Sequence, residues 1–598
     1  MSFSRSLKRI NTMKKLVFIS ILSLQINAAC AQLVTEYWDA DQTKKKSEQN
    51  TKDGMQHGKF SAWYENGEIA KEGNFTQGKE DGKFVSYYQG KKPKAEENYI
   101  RGKKNGPWKY WYANGNKAQE TFFKEDRADS IWTGWYENGK LKSTENYLNG
   151  KKSGTWSYYY ETGQKESEGN FKNNVAEGNY IGWYNNGNKQ KEGVYKNGKE
   201  DGLWKEWFKT GSPKQELNYL NDEILLMNLW LETGEQVIKN GNGKFTIVYD
   251  NGKKKGEGVY KDGRMDGEWS FYFATGEKDY TVTYLNGKKN GQFSNWYKNA
   301  RLNDGIGQGN LKSQGNYKND IKDGYWKWFN EDGKVEMEGR LSNNFRDGKW
   351  MYWFASGIKE SEGYYNNDLQ DSLWTYWYRD GSKWKQGHYK VNKKEGLWTI
   401  WFENGQKLQE GAYVYGKENG PWKSWYDNGK PKDEGNFKTG KMDGSWRGWL
   451  PNEILIYEGF YNNDLKEGAW KYYFDSGKIK EDGMYHQGRK NGHWITWTPY
   501  TIKASEGNYK EEKPDGFWTY YYPTGVKSTE QVFTEGKLSG NCRSWYENAQ
   551  LESVTSYKLI KDPKNKRIES KPHGKWLYYD KNGGIIMETT YKNGVKVK

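Results

Sequence analysis

Lys79, Lys103, Arg127, Lys151 and Lys199 stand in one row of a sequence that repeats every 24 residues, and Asp81, Asp129, Glu177 and Asp201 stand in a second row two positions on. The chemistry such rows suggest is electrostatic. A basic comb with Lys79, Lys103, Lys151 and Lys199 as its teeth suits an anionic lipid surface, lipopolysaccharide or an acidic polymer. The acids behind it would screen those charges, so a solvated, self-neutralising edge is the plainer expectation. A calcium row is not expected, because Asn105, Ser153 and Asn419 replace the acid beside a lysine.

Ring stacking is the other chemistry on offer. Trp111 and Trp135 recur on the opposite strand face from the main aromatic row. As exposed rings at regular intervals they would suit a glycan or cell-wall polymer. Catalysis has no comparable support. His57, His388, His486, His493 and His573 form no recognisable ligand pair, and no nucleophile stands beside a base. The glycine-rich strings sit in turns and not between a strand and a helix, where a phosphate loop needs them. No enzyme activity, metal site, cofactor or nucleic-acid partner is expected.

These rows exist because one unit recurs. Aligned on a glycine, the copies fall at Gly58, Gly82, Gly106, Ser130, Gly154, Gly178 and Gly202, then at Gly243, Gly267 and Gly291, then every 24 residues from Gly324 to Gly540 with Ser372 in one slot, and last at Gly574. That makes 21 copies, and a fixed period of this size marks a repeat array. Each copy has two turn signals, Asn66-Gly67 and Asn114-Gly115 after the aromatic run, Asn149-Gly150 and Asn197-Gly198 before the anchor glycine. Asn-Gly suits a type I′ hairpin turn. Two turns per copy leave two short strands, and no window keeps a helical apolar period. A lone hairpin is marginal in water, so the copies must add edge to edge. The expected fold is all-β: an elongated array of antiparallel hairpins forming one long twisted sheet.

Two residues past the anchor come Trp108, Trp132, Trp156, Trp204, Trp350, Trp374, Trp398, Trp422, Trp446, Trp470, Trp494 and Trp518, with Trp269, Trp326 and Trp576 in the same slot. They are expected to form a ladder along one face. Truncating a buried Trp costs ~3–5 kcal/mol, so this ladder should dominate stability. Rings on both faces pose a problem for a single sheet, since large apolar patches would be exposed. A bulge, closure of the sheet on itself, or a covering partner would each resolve it.

Composition agrees with an aromatic core. The chain of 598 residues has 32 Trp and 48 Tyr but is only 34% hydrophobic. Five of the 16 net positive charges lie in the first 15 residues, leaving a mild +11 that does not argue for nucleic acid. Cys30 and Cys542 are the only cysteines, and Cys542 fills a Trp slot. The organisation expected is a signal peptide at 1–31 with cleavage after Ala31 (acylation of Cys30 being the rival), a polar and poorly ordered entry segment at 32–53, repeats at 54–220, a degenerate copy or kink at 221–241, repeats at 242–299, an insertion at 300–313, repeats at 314–540, a copy with an insertion at 541–573 and a final copy at 574–598.

The pattern of Tyr195-Lys-Asn-Gly198 followed by Gly202-Leu-Trp204 and Trp207, seen again from Tyr147 to Trp156, resembles MORN repeats, in particular the bacterial variant whose members often carry an antitoxin-family label. The resemblance covers about residues 54–598. It implies a sheet of hairpins with a binding or scaffolding role and no catalytic residues. The function expected is an exported scaffold mediating protein–protein interaction at the cell envelope, with self-association as a further outcome. The alternatives are a glycan-binding aromatic ladder and an anionic membrane surface met by the basic edge. Localisation would be periplasmic, outer-membrane or secreted.

Overall fold

The computed structural model describes residues 31–298, 308–563 and 566–597. All the regular structure in them is antiparallel strand. The expected single sheet is instead two, one of 20 strands from Ala31–Tyr37 to Gln236–Ile238 and one of 33 strands from Gly243–Val248 to Val595–Lys596. The chain divides into two compact units, one up to Phe245 with Val259–Arg264, the other made of Thr246–Gly258 and Met265 onward. The break in the sheet follows from the shortened copy. Its first strand, Glu223–Trp230, is nearly full length, but its second is cut to Gln236–Ile238, 3 residues.

A regular copy comprises a Trp strand such as Lys151–Tyr159 and a return strand such as Lys165–Lys172. The two turns differ. Asn149 and Gly150 both take positive φ, 51° and 83°, as a type I′ turn requires. At Asn66-Gly67 only the glycine does, at 83°. There Gly67 N–H donates to Tyr64 O and Tyr64 N–H to Glu68 O, so the loop has three residues and closes on a left-handed glycine. The type I′ expectation therefore holds for one turn and fails for the other.

The anchor is a bulge. Glu145 pairs with Trp156 and Tyr147 with Lys152, so Ser153, Gly154 and Thr155 together face Asn146. Gly154 has φ +85°, which explains glycine there. Ser130 and Ser372 hold the same slot at φ 59° and 55°. A second register shift falls between Tyr158 and Tyr159.

The leader lies outside the described residues apart from Ala31. The entry segment is not poorly ordered: Ala31–Tyr37 pairs with Lys45–Lys52. Residues 300–307 of the insertion also lie outside the described residues, while 311–313 already belong to strand Leu311–Lys318. The insertion before Gly574 is an extended hairpin, with Leu551–Lys561 pairing along Ile568–Pro572.

Candidate interaction surface

Each strand packs against its neighbours within the sheet, yet Trp204, Trp269 and Trp326 are 0% exposed. Their cover comes from four directions. Underneath lies the glycine of the return strand, eleven residues earlier: a Cβ on Gly193 would sit 2.1 Å from the Trp204 ring, and one on Gly387 2.2 Å from Trp398. Beside each indole stand aromatic rings edge-on, as Tyr195 against Trp204 at 4.9 Å and 73°, and Tyr413 against Trp422 at 5.3 Å and 78°. The indole Nε1–H donates to the carbonyl ten residues before, Trp108 to Asn98 and Trp494 to Met484, both at 2.9 Å. Above, in many copies, lies an ammonium: Lys152 Nζ is 4.0 Å from the Trp156 ring centre and Lys490 Nζ 3.8 Å from Trp494. Burial there pushes Lys322, Lys394 and Lys466 below the ordinary lysine range.

The glycine sets the tilt. Where it is present, the indole lies flat and nearly parallel to the ring two residues on: 27° for Trp350 and Tyr352, 25° for Trp470 and Tyr472. Where Glu97 or Glu145 fills the position, the angle opens to 52° at Trp108 and Tyr110 and 53° at Trp156 and Tyr158. Thr121 fills it at Trp132, which is only half-buried.

The second face is covered differently, and this resolves the problem of rings on both sides. Trp111 and Trp135 are half-buried and not freely exposed. Lys117 Nζ lies 5.4 Å from the Trp135 ring centre and 2.7 Å from Glu120, which also meets Lys109 at 3.7 Å. The same cap recurs with Lys407, Trp425 and Glu410. Hydrogen bonds from Lys165, Lys407 and Lys503 hold Glu168, Glu410 and Glu506 below the usual carboxylate range. Open on this face are the residue after each anchor and, in several copies, its cross-strand partner, and both change from copy to copy: Ile131, Leu203, Tyr325, Leu373, Leu397 and Phe517 are exposed, Phe517 by 72%, as are Val194, Tyr364 and Met484.

At the turn edge Lys79, Lys103 and Lys151 are exposed, whereas Lys199 pairs with Asp222. Acids of the row behind them also accept backbone N–H groups, which leaves their charge in place. Asp81 accepts the Arg101 N–H, Glu177 the Asn197 N–H and Glu467 the Gln487 N–H, each in the next copy's turn. Other staples went unread in the sequence. Tyr88 OH donates to Trp111 O and Tyr160 OH to Trp183 O, 23 residues on; the signal is the Tyr that recurs at this slot in many copies, as Tyr64, Tyr112 and Tyr136. Among the described residues no group of three or more His, Cys, Asp or Glu could hold a metal ion.

The MORN repeat variant family matches residues 56–77, 104–125, 128–149, 152–173, 200–221, 265–286, 322–343, 346–367, 394–415, 418–439, 466–487 and 572–593. No curated protein matches the chain. Solved structures that align with it include the crystal structure of TcdB2-TccC3-TEV (9% identity, 96% of this chain, 36% of that chain, TM-score 0.12) and the Photorhabdus luminescens Tc holotoxin pore carrying TccC3-D651A (9% identity, 94% of this chain, 34% of that chain, TM-score 0.12). The chain spans about a third of the length of those chains, and at such scores the likeness bears on neither fold nor function. With its matched segments spread from 56 to 593, the chain is a repeat protein built with MORN repeats of the variant form.

Proposed function

We propose that this chain is an exported, non-catalytic scaffold that binds protein partners at the cell envelope through the exposed row of its second face. One observation carries the reading. The residues that recur in most copies are spent on holding neighbours together, while the exposed position after the anchor varies: Ile131, Leu203, Leu397, Phe517. A constant frame with a variable exposed row, apolar at these four positions and charged or polar at others such as Lys59, Lys83, Lys349 and His493, suits protein recognition, where each copy adds a weak contact and affinity accrues along the array. Weighing against the glycan alternative, most ladder indoles are buried and Trp111 and Trp135 are half-buried. The antitoxin label carried by relatives of this repeat plays no part in this reading.

The test presents the full chain to an envelope protein fraction, purified peptidoglycan and anionic liposomes, with a salt step. The scaffold reading expects saturable retention of envelope protein that is lost when Ile131, Leu203, Leu397 and Phe517 are all changed to Ser. Peptidoglycan binding that survives salt would overturn it in favour of a glycan ligand. Salt-sensitive liposome binding would instead assign function to Lys79, Lys103 and Lys151.

A further inference from the structure

The chain of touching rings in the first sheet is interrupted at one copy. Rings meet in sequence from Phe60 to Phe171. They meet again from Tyr180 through Tyr195 and Trp204 to Tyr219. Among the described residues no ring contact joins Phe171 to Tyr180. Three residues come together only in this copy: Tyr180 stands in the Trp slot, Gly182, like Gly134, where Tyr110 and Tyr158 place a second ring, and Ala176, like Ala128, where Lys104 and Lys152 cover their own copies.

Tyr180 does not occupy the slot it replaces. A Cβ on Gly169 would be 3.2 Å from the Tyr180 ring, against 2.1 Å for Gly193 and Trp204. The Tyr180 hydroxyl instead reaches over Gly182, 3.3 Å from where a Cβ would be. Its ring lies 5.8 Å from Trp204 at 32°, much as Trp328 lies 5.6 Å from Trp350 at 28°. Tyr180 thus stands in for the missing second ring, and the indole position is left open. A hollow of about 280 Å³ marks it, lined by Trp156, Tyr158, Phe171, Ala176 and Tyr195 around Gly169.

We propose that this hollow binds one indole-sized aromatic ring supplied from outside the chain. The features that receive an indole elsewhere in the array are kept here. Gly169 leaves the floor flat, Phe171 and Tyr195 offer the flanking rings, and Asn170 occupies the position whose carbonyl accepts the indole N–H, as Asn146 O accepts that of Trp156 at 2.9 Å. The carbonyl can serve two donors: Asn98 O takes both the Asn105 N–H and Trp108 Nε1–H. An apolar cavity of about 150 Å³ is enough for benzene, so the volume here accommodates a bicyclic ring. The N–H acceptor selects indole over an all-carbon ring. Ala176 in the covering position leaves the way in from solvent unobstructed.

The experiment follows 5-fluoroindole by fluorine NMR as the full chain is added, since 32 tryptophans obscure fluorescence. Saturable binding of one ring per chain is expected, weakened about tenfold or more by Tyr180→Trp, which refills the slot, and unchanged by Lys199→Ala. Tyr180→Trp adds ring contacts without stripping a buried group, and its far-ultraviolet circular dichroism reports whether it folds. Displacement of the probe by N-acetyltryptophanamide would assign the site to a tryptophan side chain of a partner; probe binding without such displacement would assign it to a free heterocycle. Absence of saturable binding, or binding equally tight in a folded Tyr180→Trp, would overturn the proposal.

Discussion

The phenol of Tyr112 donates its proton to the carbonyl oxygen of Trp135, 23 residues on, at 2.9 Å. The bond joins one copy to the next outside the strand ladder. Tyr112→Phe removes the donor alone and should cost about 1 kcal/mol. Because repeats couple mainly to their neighbours, the loss should be local. Hydrogen exchange should show reduced protection around Tyr112 and Trp135 with distant copies unchanged; a uniform loss along the array would contradict this.

The floor under each indole makes a sharper prediction. At Gly387 a Cβ would lie 2.2 Å from the Trp398 ring, so Gly387→Ala must tilt or expel the indole. The cost should approach that of losing the ring itself, ~3 kcal/mol or more. Conversely, Glu145→Gly should let Trp156 lie flat, closing its 53° angle with Tyr158 towards the 23–28° of the glycine copies. A crystal structure of that variant would check the angle directly.

Ser130 and Ser372 hold left-handed backbone at φ 59° and 55° in a slot that is otherwise glycine in most copies. Ser372→Gly should therefore stabilise its copy by about 1 kcal/mol, the strain of a non-glycine residue in that region. Melting followed by circular dichroism should show the rise. A fall would mean that the N–H of Ser372 to Asp371, at 2.9 Å, depends on the serine side chain's presence.

Alkaline pH should unravel the ladder face. Burial, reinforced by Glu145, pushes Tyr147 and Tyr158 up to about 12, and burial with Glu418 does the same for Tyr413. A tyrosine in the unfolded chain ionises near 10. The folded pKa is the higher one, so the stability these groups contribute is full below about pH 10 and is lost as pH rises through about 12. Tyrosinate absorbance and circular dichroism recorded together should show ionisation coinciding with unfolding; free titration of the phenols near 10 with the fold intact would contradict it.

The repeat and its strands were legible because the 24-residue period and the turn residues are local signals. Asn149-Gly150 announced its type I′ turn, but Asn66-Gly67 uses the same dipeptide for a three-residue loop, since only the next hydrogen bond, Tyr64 N–H to Glu68 O, tells them apart. The ladder was visible as a row of Trp. What buries it was not, because Gly193 beneath Trp204 and Lys152 above Trp156 belong to neighbouring strands in a register that only the bulge fixes. The acid row is legible as charge, but that Asp81 and Glu177 also accept backbone N–H groups in the next turn is not, because it depends on the spacing between copies. The hollow beside Tyr180 needed the direction of one side chain, which a substitution pattern does not contain.

The tyrosine staple survives where copies are lengthened. Tyr297 OH reaches Phe329 O across 32 residues and Tyr546 OH reaches Tyr579 O across 33, both at 2.8 Å, as Tyr184 reaches Trp207 across 23. The joint between copies is thus the same across both lengthened copies. A unit whose joint depends on one donor and one acceptor at its two ends tolerates extra length between them, because neither end of the hydrogen bond moves out of register.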